Sequence, residues 1–169
     1  MKLLRMLLGG IKVWDGSLSI PNHKDSICGD TIADLRTRKN TLSVWKADTE
    51  DEINAAITAL ALSRDSVQKM VCLLLDSNDL SDIDIQLDET LGDSCGLDEI
   101  LLKNHRDMKD IDFWKLGFLA EYMMKQTKDK TNIKNITKDQ VTSLLNKYKN
   151  DGLIHTDLMK PKLKDNLKW

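Results

Sequence analysis

Cysteine, proline and glycine are all scarce in this chain of 169 residues, with three, two and eight respectively. So few prolines and glycines leave no room for a low-complexity linker, and order is expected almost throughout. The cysteines Cys28, Cys72 and Cys95 are odd in number and contain no CxxC pair, which argues against a disulfide framework and a zinc ribbon and fits a reducing cytoplasm. No run reaches the 18 or more apolar residues of a membrane span. The opening MKLLRMLLGGIKVWDG is a poor secretory signal, because Arg5 interrupts the apolar run and Lys12, Trp14 and Asp15 stand where a cleavage site should be.

Charge is missing selectively. Residues 76–99 hold nine acidic and no basic side chains, and residues 125–169 hold eleven lysines, five aspartates and no arginine. The net charge of −2 conceals this layout, which marks either an interaction surface or a solvated face. At 41% hydrophobic and 31% charged, the rest is the composition of a globular domain long enough to bury a sizeable core.

The elements follow from local chemistry. Asp15-Gly16 suits a hairpin turn between strands Ile11–Trp14 and Ser17–Ile20, which Pro21 ends. A short helical turn is predicted around Thr31–Leu35, and TLSVWKA, residues 41–47, reads as a strand after a turn at Lys39-Asn40. Thr49 and Glu52 form a capping box for a helix ending near Arg64, with Ile53, Ala56, Ile57, Leu60 and Ala61 on its apolar face. The unbroken Met70–Leu75 run predicts a strand covered on both faces, giving a βαβ unit with the two strands parallel and a right-handed crossover. LSDIDIQLDET, residues 80–90, alternates as a strand with Ile83, Ile85 and Leu87 inward and Asp82, Asp84 and Asp88 outward. LDEILLKN predicts a short helix. Asp112 opens a longer one with Phe113, Trp114, Leu116, Leu119, Ala120 and Met123 as its apolar face. After a lysine-rich loop over 127–136, Thr137 and Gln140 cap a helix that Asp151-Gly152 closes, and Trp169 anchors the tail.

The expected class is α+β or α/β, with a mixed sheet of about five strands, one crossover helix and a C-terminal helical subdomain. Residues 1–95 would form the sheet region and residues 96–169 the helical region, packed as one compact unit.

Several fragments resemble catalytic or binding signatures. His105-Arg106-Asp107 is similar to the H-R-D catalytic loop of protein kinases, but the family's metal-binding asparagine falls on Asp112 and no glycine-rich loop or D-F-G exists. Gly92-Asp93-Ser94-Cys95-Gly96 is similar to the nucleophile segment of chymotrypsin-like proteases, with Cys95 in place of a glycine and His23 the one upstream histidine. Cys28 with His23 is a candidate thiolate-imidazole pair, against the commoner reading of a small buried hydrophobe. Asp76-Ser77-Asn78 opens like a calcium loop, but Ser81 and Leu87 occupy the glycine and glutamate positions of an EF-hand. ITKDQVTSLLNKYKNDGLI with HTDLMKPKLK resembles the recognition helix and wing of a winged-helix domain, which implies nucleic-acid binding through Lys138, Lys147, Lys149, Lys160 and Lys162.

With no convergent catalytic set, the sequence points to a non-enzymatic, cytoplasmic protein without a cofactor, metal site or membrane partner. Its expected work is binding a basic protein, as an immunity protein, an antitoxin or a subunit of a bacterial defence system does. The candidate contact residues are Asp79, Asp82, Asp84, Asp88 and Glu89. A nucleic-acid-binding regulator is the alternative, and a Cys/His hydrolase or a metal-dependent enzyme using the aspartates ranks behind it.

Overall fold

The computed structural model describes residues 1–14 and 27–169. Among them lie six strands, β1 (Lys2–Met6), β2 (Leu42–Lys46), β3 (Met70–Asp76), β4 (Gln86–Glu89), β5 (His105–Lys109) and β6 (Ile133–Ile136). Six helices accompany them: α1 (Glu50–Leu62), α2 (Ser77–Asp82), α3 (Glu99–Leu102), α4 (Phe113–Thr127), α5 (Lys138–Asn150) and α6 (Pro161–Leu167). The strands form one sheet in the order β4-β5-β2-β1-β3-β6, and the class is α+β. Every neighbouring pair is antiparallel, so the sheet is not mixed.

β1 explains the difference. Its apolar run points both ways, with Leu3 in one core cluster and Leu4 in the other, so it belongs inside the sheet. It pairs with β2 on one side and β3 on the other. β2 and β3 therefore run in the same direction but are not adjacent, and the expected βαβ unit is split by β1.

Two apolar layers cover the sheet. On one face Leu4, Trp45, Met70 and Cys72 meet Ala56 and Ile57 of α1, Val141 and Leu145 of α5 and Leu163 of α6. On the other, Leu3, Val44, Leu73, Leu75 and Met108 meet Leu80 of α2 and Leu119, Ala120 and Met123 of α4. β3 alternates between the layers as predicted for a strand covered on both faces. Each such aliphatic side chain contributes about 1.5–3 kcal/mol relative to exposure, so both helical layers are integral to the fold.

The helix termini predicted from capping chemistry are present. Thr49 Oγ1 accepts from the Glu52 amide at 3.2 Å while Glu52 accepts from the Thr49 amide at 3.2 Å. Thr137 and Gln140 repeat the arrangement for α5, and Gly152, with φ of 73°, ends it. Lys39 and Asn40 both have positive φ between the mutually hydrogen-bonded Arg38 and Thr41, a tight turn leading into β2.

Several expectations are corrected. Ile11–Val13 is a 3-10 turn, not a strand, and the remainder of the predicted hairpin, from Asp15 to Ile20, lies outside the described residues. Residues 80–90 are not one strand. Asp76 caps α2 by accepting from the Asn78 amide at 2.9 Å, Asp84 has φ of 58°, and only Gln86–Glu89 pairs in the sheet. The helix-initiating Asp76-Ser77-Asn78-Asp79 segment thus overrides a three-residue alternation. Residues 127–136 include β6, whose lysine and asparagine suit an exposed edge strand. No wing follows α5: Thr156–Leu158 is a 3-10 turn, and Pro161 occupies the first turn of α6. With β5 and β6, the region beyond residue 95 contributes two of the six strands.

Candidate functional site: an acidic edge beside an aromatic ridge

The acidic segment runs along one end of the sheet, through α2, the Asp84 turn and the edge strand β4. Asp79 faces inward, its Oδ2 accepting from the Tyr122 hydroxyl at 2.9 Å. That hydroxyl in turn accepts from the Asp76 amide at 2.8 Å, and burial pushes its pKa up. Asp79 is therefore a strut between α2 and α4. Asp82, Asp84, Asp88 and Glu89 are exposed.

Cations from elsewhere in the chain meet this acid. Asp84 pairs with Lys115 at 2.9 Å, Asp88 with Lys109 at 2.7 Å and Glu89 with Arg106 at 2.8 Å. The acidic stretch is thus partly compensated in space, which its sequence neighbours alone do not reveal. Asp82 has no ion pair among the described residues.

The Asp84–Lys115 pair ties this acidic turn to the first turn of α4, where Phe113 and Trp114 are 87% and 78% exposed. Phe118, one turn beyond Trp114, is 53% exposed. Phe113 and Trp114 were expected in the core with Leu119, Ala120 and Met123; of these five only the last three pack there, and Trp114 and Phe118 emerge on the far side of the helix. Asp110 and the N-capping Asp112, both exposed, add two more carboxylates beside Phe113. A solvent-facing group of three large aromatics at an acidic border is unusual for surface that only solvates the chain.

The remaining candidates separate. Ser94 is buried and its Oγ donates to the Ala59 carbonyl at 2.8 Å, which ties the hydroxyl into the packing of α1. Cys72 is core, and burial pushes its thiol up to about 12. Cys28 is half-buried, while His23 lies outside the described residues. Among the described residues, no three histidine, cysteine, aspartate or glutamate side chains converge as metal ligands would. Among the lysines, Lys160 and Lys162 reach Asp65 at 3.6 and 3.9 Å, Lys160 also donates to the Ser63 carbonyl, and Lys149 lies 4.5 Å from the centre of the Trp169 ring. Lys147 sits 5.8 Å from the Tyr148 ring centre, and Lys138 begins α5. Three of the five are thereby occupied, Lys160 and Lys162 in tying the start of α6 to the end of α1 and Lys149 in tying α5 to Trp169.

The kinase-like tripeptide is the first three residues of β5 rather than a catalytic loop. His105 is buried edge-on against Trp45, ring centroids 5.0 Å apart. Thr90 Oγ1 donates to Asp107 at 3.1 Å and lies 2.8 Å from His105 Nδ1. Since the hydroxyl proton is directed to Asp107, Nδ1 is the donor to Thr90. Burial lowers the His105 pKa, with Asp107 and Asp93 opposing the shift.

A sign follows for stability. The unfolded chain takes up the His105 proton more readily than the fold does, so stability falls as the pH drops through the ordinary histidine value of about 6.5 towards the lower folded value. Thermal midpoints of the protein and of His105→Gln should therefore run parallel above that pH, and the protein's should drop relative to the variant's as the pH falls below it. A separation that stays constant through the acid range as well would contradict the burial penalty.

Comparison with protein-family models, curated proteins and solved structures finds no match to this chain. No helix among the described residues is long and apolar enough to cross a membrane.

Proposed function

We propose that the protein works by binding a basic protein partner, as immunity proteins, antitoxins and defence-system subunits do, through the α4 aromatics and the acidic edge beside them. The observation that carries this reading is the exposure of Phe113, Trp114 and Phe118 next to Asp82, Asp84, Asp110 and Asp112. Interfaces concentrate binding energy in a few aromatic anchors surrounded by a polar rim. The rim carboxylates favour a lysine- or arginine-rich surface, and cationic side chains also sit well on exposed tryptophan faces.

The test places a photo-cross-linking residue at position 114 and, as a control, at the exposed Leu158, in cells that naturally make the protein. The expected result is an adduct specific to position 114 with a protein rich in lysine and arginine. Association with that purified partner should slow as salt rises, and Asp82→Asn/Asp84→Asn/Asp88→Asn should slow it about tenfold in low salt. An on-rate unchanged by the triple substitution, or equal adducts at positions 114 and 158, would sink the proposal.

A further inference from the structure

The two edges of the sheet differ: β4 carries acid, and β6, at the opposite edge, presents main-chain groups. The Val71 carbonyl accepts from the Leu7 amide at 2.8 Å on the β1 side of β3, and a strand residue sends its N–H and C=O the same way. Asn135 stands opposite Val71, so its own N–H and C=O point away from β3, and neither has a partner among the described residues. Asn135 is exposed, and neither a proline nor a bulge blunts the edge.

The face of β6 turned towards α1 and α5 carries Lys134 and Ile136, the cross-strand neighbours of the core residues Cys72 and Met70. Beside them lies an open groove of about 660 Å³, bordered by both helices. Ile53, Ile57, Ile136 and Leu144 form its apolar part, and Glu50 of α1 and Asp139 of α5 are its acids. Both acids are exposed, and neither they nor the half-buried Lys134 has an ion pair among the described residues. One unmatched cation and two unmatched anions thus share a groove without meeting inside one copy.

We propose that this edge pairs with the same edge of a second copy, antiparallel about a twofold axis through Asn135, to form a homodimer with one continuous sheet. The register follows from the backbone and the charges. With the axis at Asn135, whose main-chain groups point outward, the two Asn135 residues exchange both N–H···O=C bonds. With the axis at Lys134, two like charges would stand directly opposite each other. The Asn135 register instead sets Lys134 of the second copy opposite Ile136, Cβ atoms about 5 Å apart, on the face of the groove. A lysine on an edge strand usually deters pairing, but here its stem covers Ile136 and its ammonium meets Glu50 and Asp139. Because the contact is isologous, each of these pairs occurs twice. β4 lies at the far edge in each copy, so the dimer is independent of the basic-partner reading.

Sedimentation velocity of the full chain between about 1 and 200 µM tests this, and so short an edge sets the expected Kd at about 10–100 µM. Lys134→Glu sets carboxylates against carboxylates and should remain a monomer throughout. Glu50→Lys/Asp139→Lys, in which lysine faces lysine, should do the same. Mixed in equal amounts, the two variants should recover a dimer close to the parent's Kd, since every cation again meets an acid across the axis. Asn135→Pro, which removes an N–H that no group of its own chain uses, should also be monomeric. Charge variants that still dimerise, a mixture that fails to associate, or an Asn135→Pro dimer as tight as the parent's would overturn the proposal. So would a parent that stays monomeric at about 200 µM, which would leave the groove to an extended basic segment of another protein.

Discussion

Replacing Asp34 with alanine should destabilise the fold by about 3–5 kcal/mol, enough to unfold much of the population in a domain whose total stability is on the order of 5–15 kcal/mol. Asp34 is fully buried, and its carboxylate accepts from the Leu8 amide and, at 2.7 Å, from Trp14 Nε1. It is also the anionic counterpart of Arg5, whose burial lowers the guanidinium pKa to about 10 against the opposing pull of Asp34. Alanine would leave the buried Trp14 Nε1–H unpaired and Arg5 without its counter-charge, losses that carry a desolvation penalty, and would also remove the acceptor of the Leu8 amide. Asp34→Asn keeps one acceptor oxygen and should cost less. Urea unfolding of the three proteins checks the order, and a midpoint for Asp34→Ala within experimental error of the parent would show that the Arg5–Asp34–Trp14 cluster is not a stability centre.

That cluster shows where the sequence is legible and where it stops. Arg5 stands out in its apolar run, and a charge inside a central strand must find a partner. Nothing local identifies the carboxylate that meets it, because Asp34 is 29 residues away in a polar loop. The helices α1 and α5 were readable because their signals are short-range, a capping box followed by a 3.6-residue period. β3 was readable because six consecutive apolar residues need cover on both sides.

β5 and β6 were not readable. HRDMK has one aliphatic-type core residue, Met108, and becomes a strand because β2 and β4 supply hydrogen-bonding edges on both sides. The same limit applies to the candidate site. Apolarity alone assigns Phe113 and Trp114 to the core. The packed face of α4 is instead set by which residues reach Leu73, Leu75 and Val44, and that selects Leu119, Ala120 and Met123. The compensation of Asp84, Asp88 and Glu89 by Lys115, Lys109 and Arg106 is likewise a product of chain folding, invisible in a segment without a single basic residue.

Truncating the aromatic ridge should separate binding from stability. Trp114→Ala/Phe118→Ala removes side chains that are largely exposed, so the unfolding midpoint should stay close to that of the parent, within about 0.5 kcal/mol. Association with the basic partner recovered through position 114 should lose about 2–4 kcal/mol, the usual cost of deleting a central aromatic anchor and a factor of about 30 to 1,000 in Kd. The kinetic pattern distinguishes this loss from that of the acidic edge. Rim carboxylates act at long range during encounter, so Asp82→Asn/Asp84→Asn/Asp88→Asn should lower the on-rate and flatten its salt dependence. Aromatic anchors act after contact, once water has left, so Trp114→Ala/Phe118→Ala should raise the off-rate at every salt concentration. Surface plasmon resonance at two ionic strengths resolves both. An off-rate equal to the parent's in the aromatic variant would mean that Trp114 and Phe118 stay wet in the complex, and the centre of the interface would have to lie elsewhere along the acidic edge.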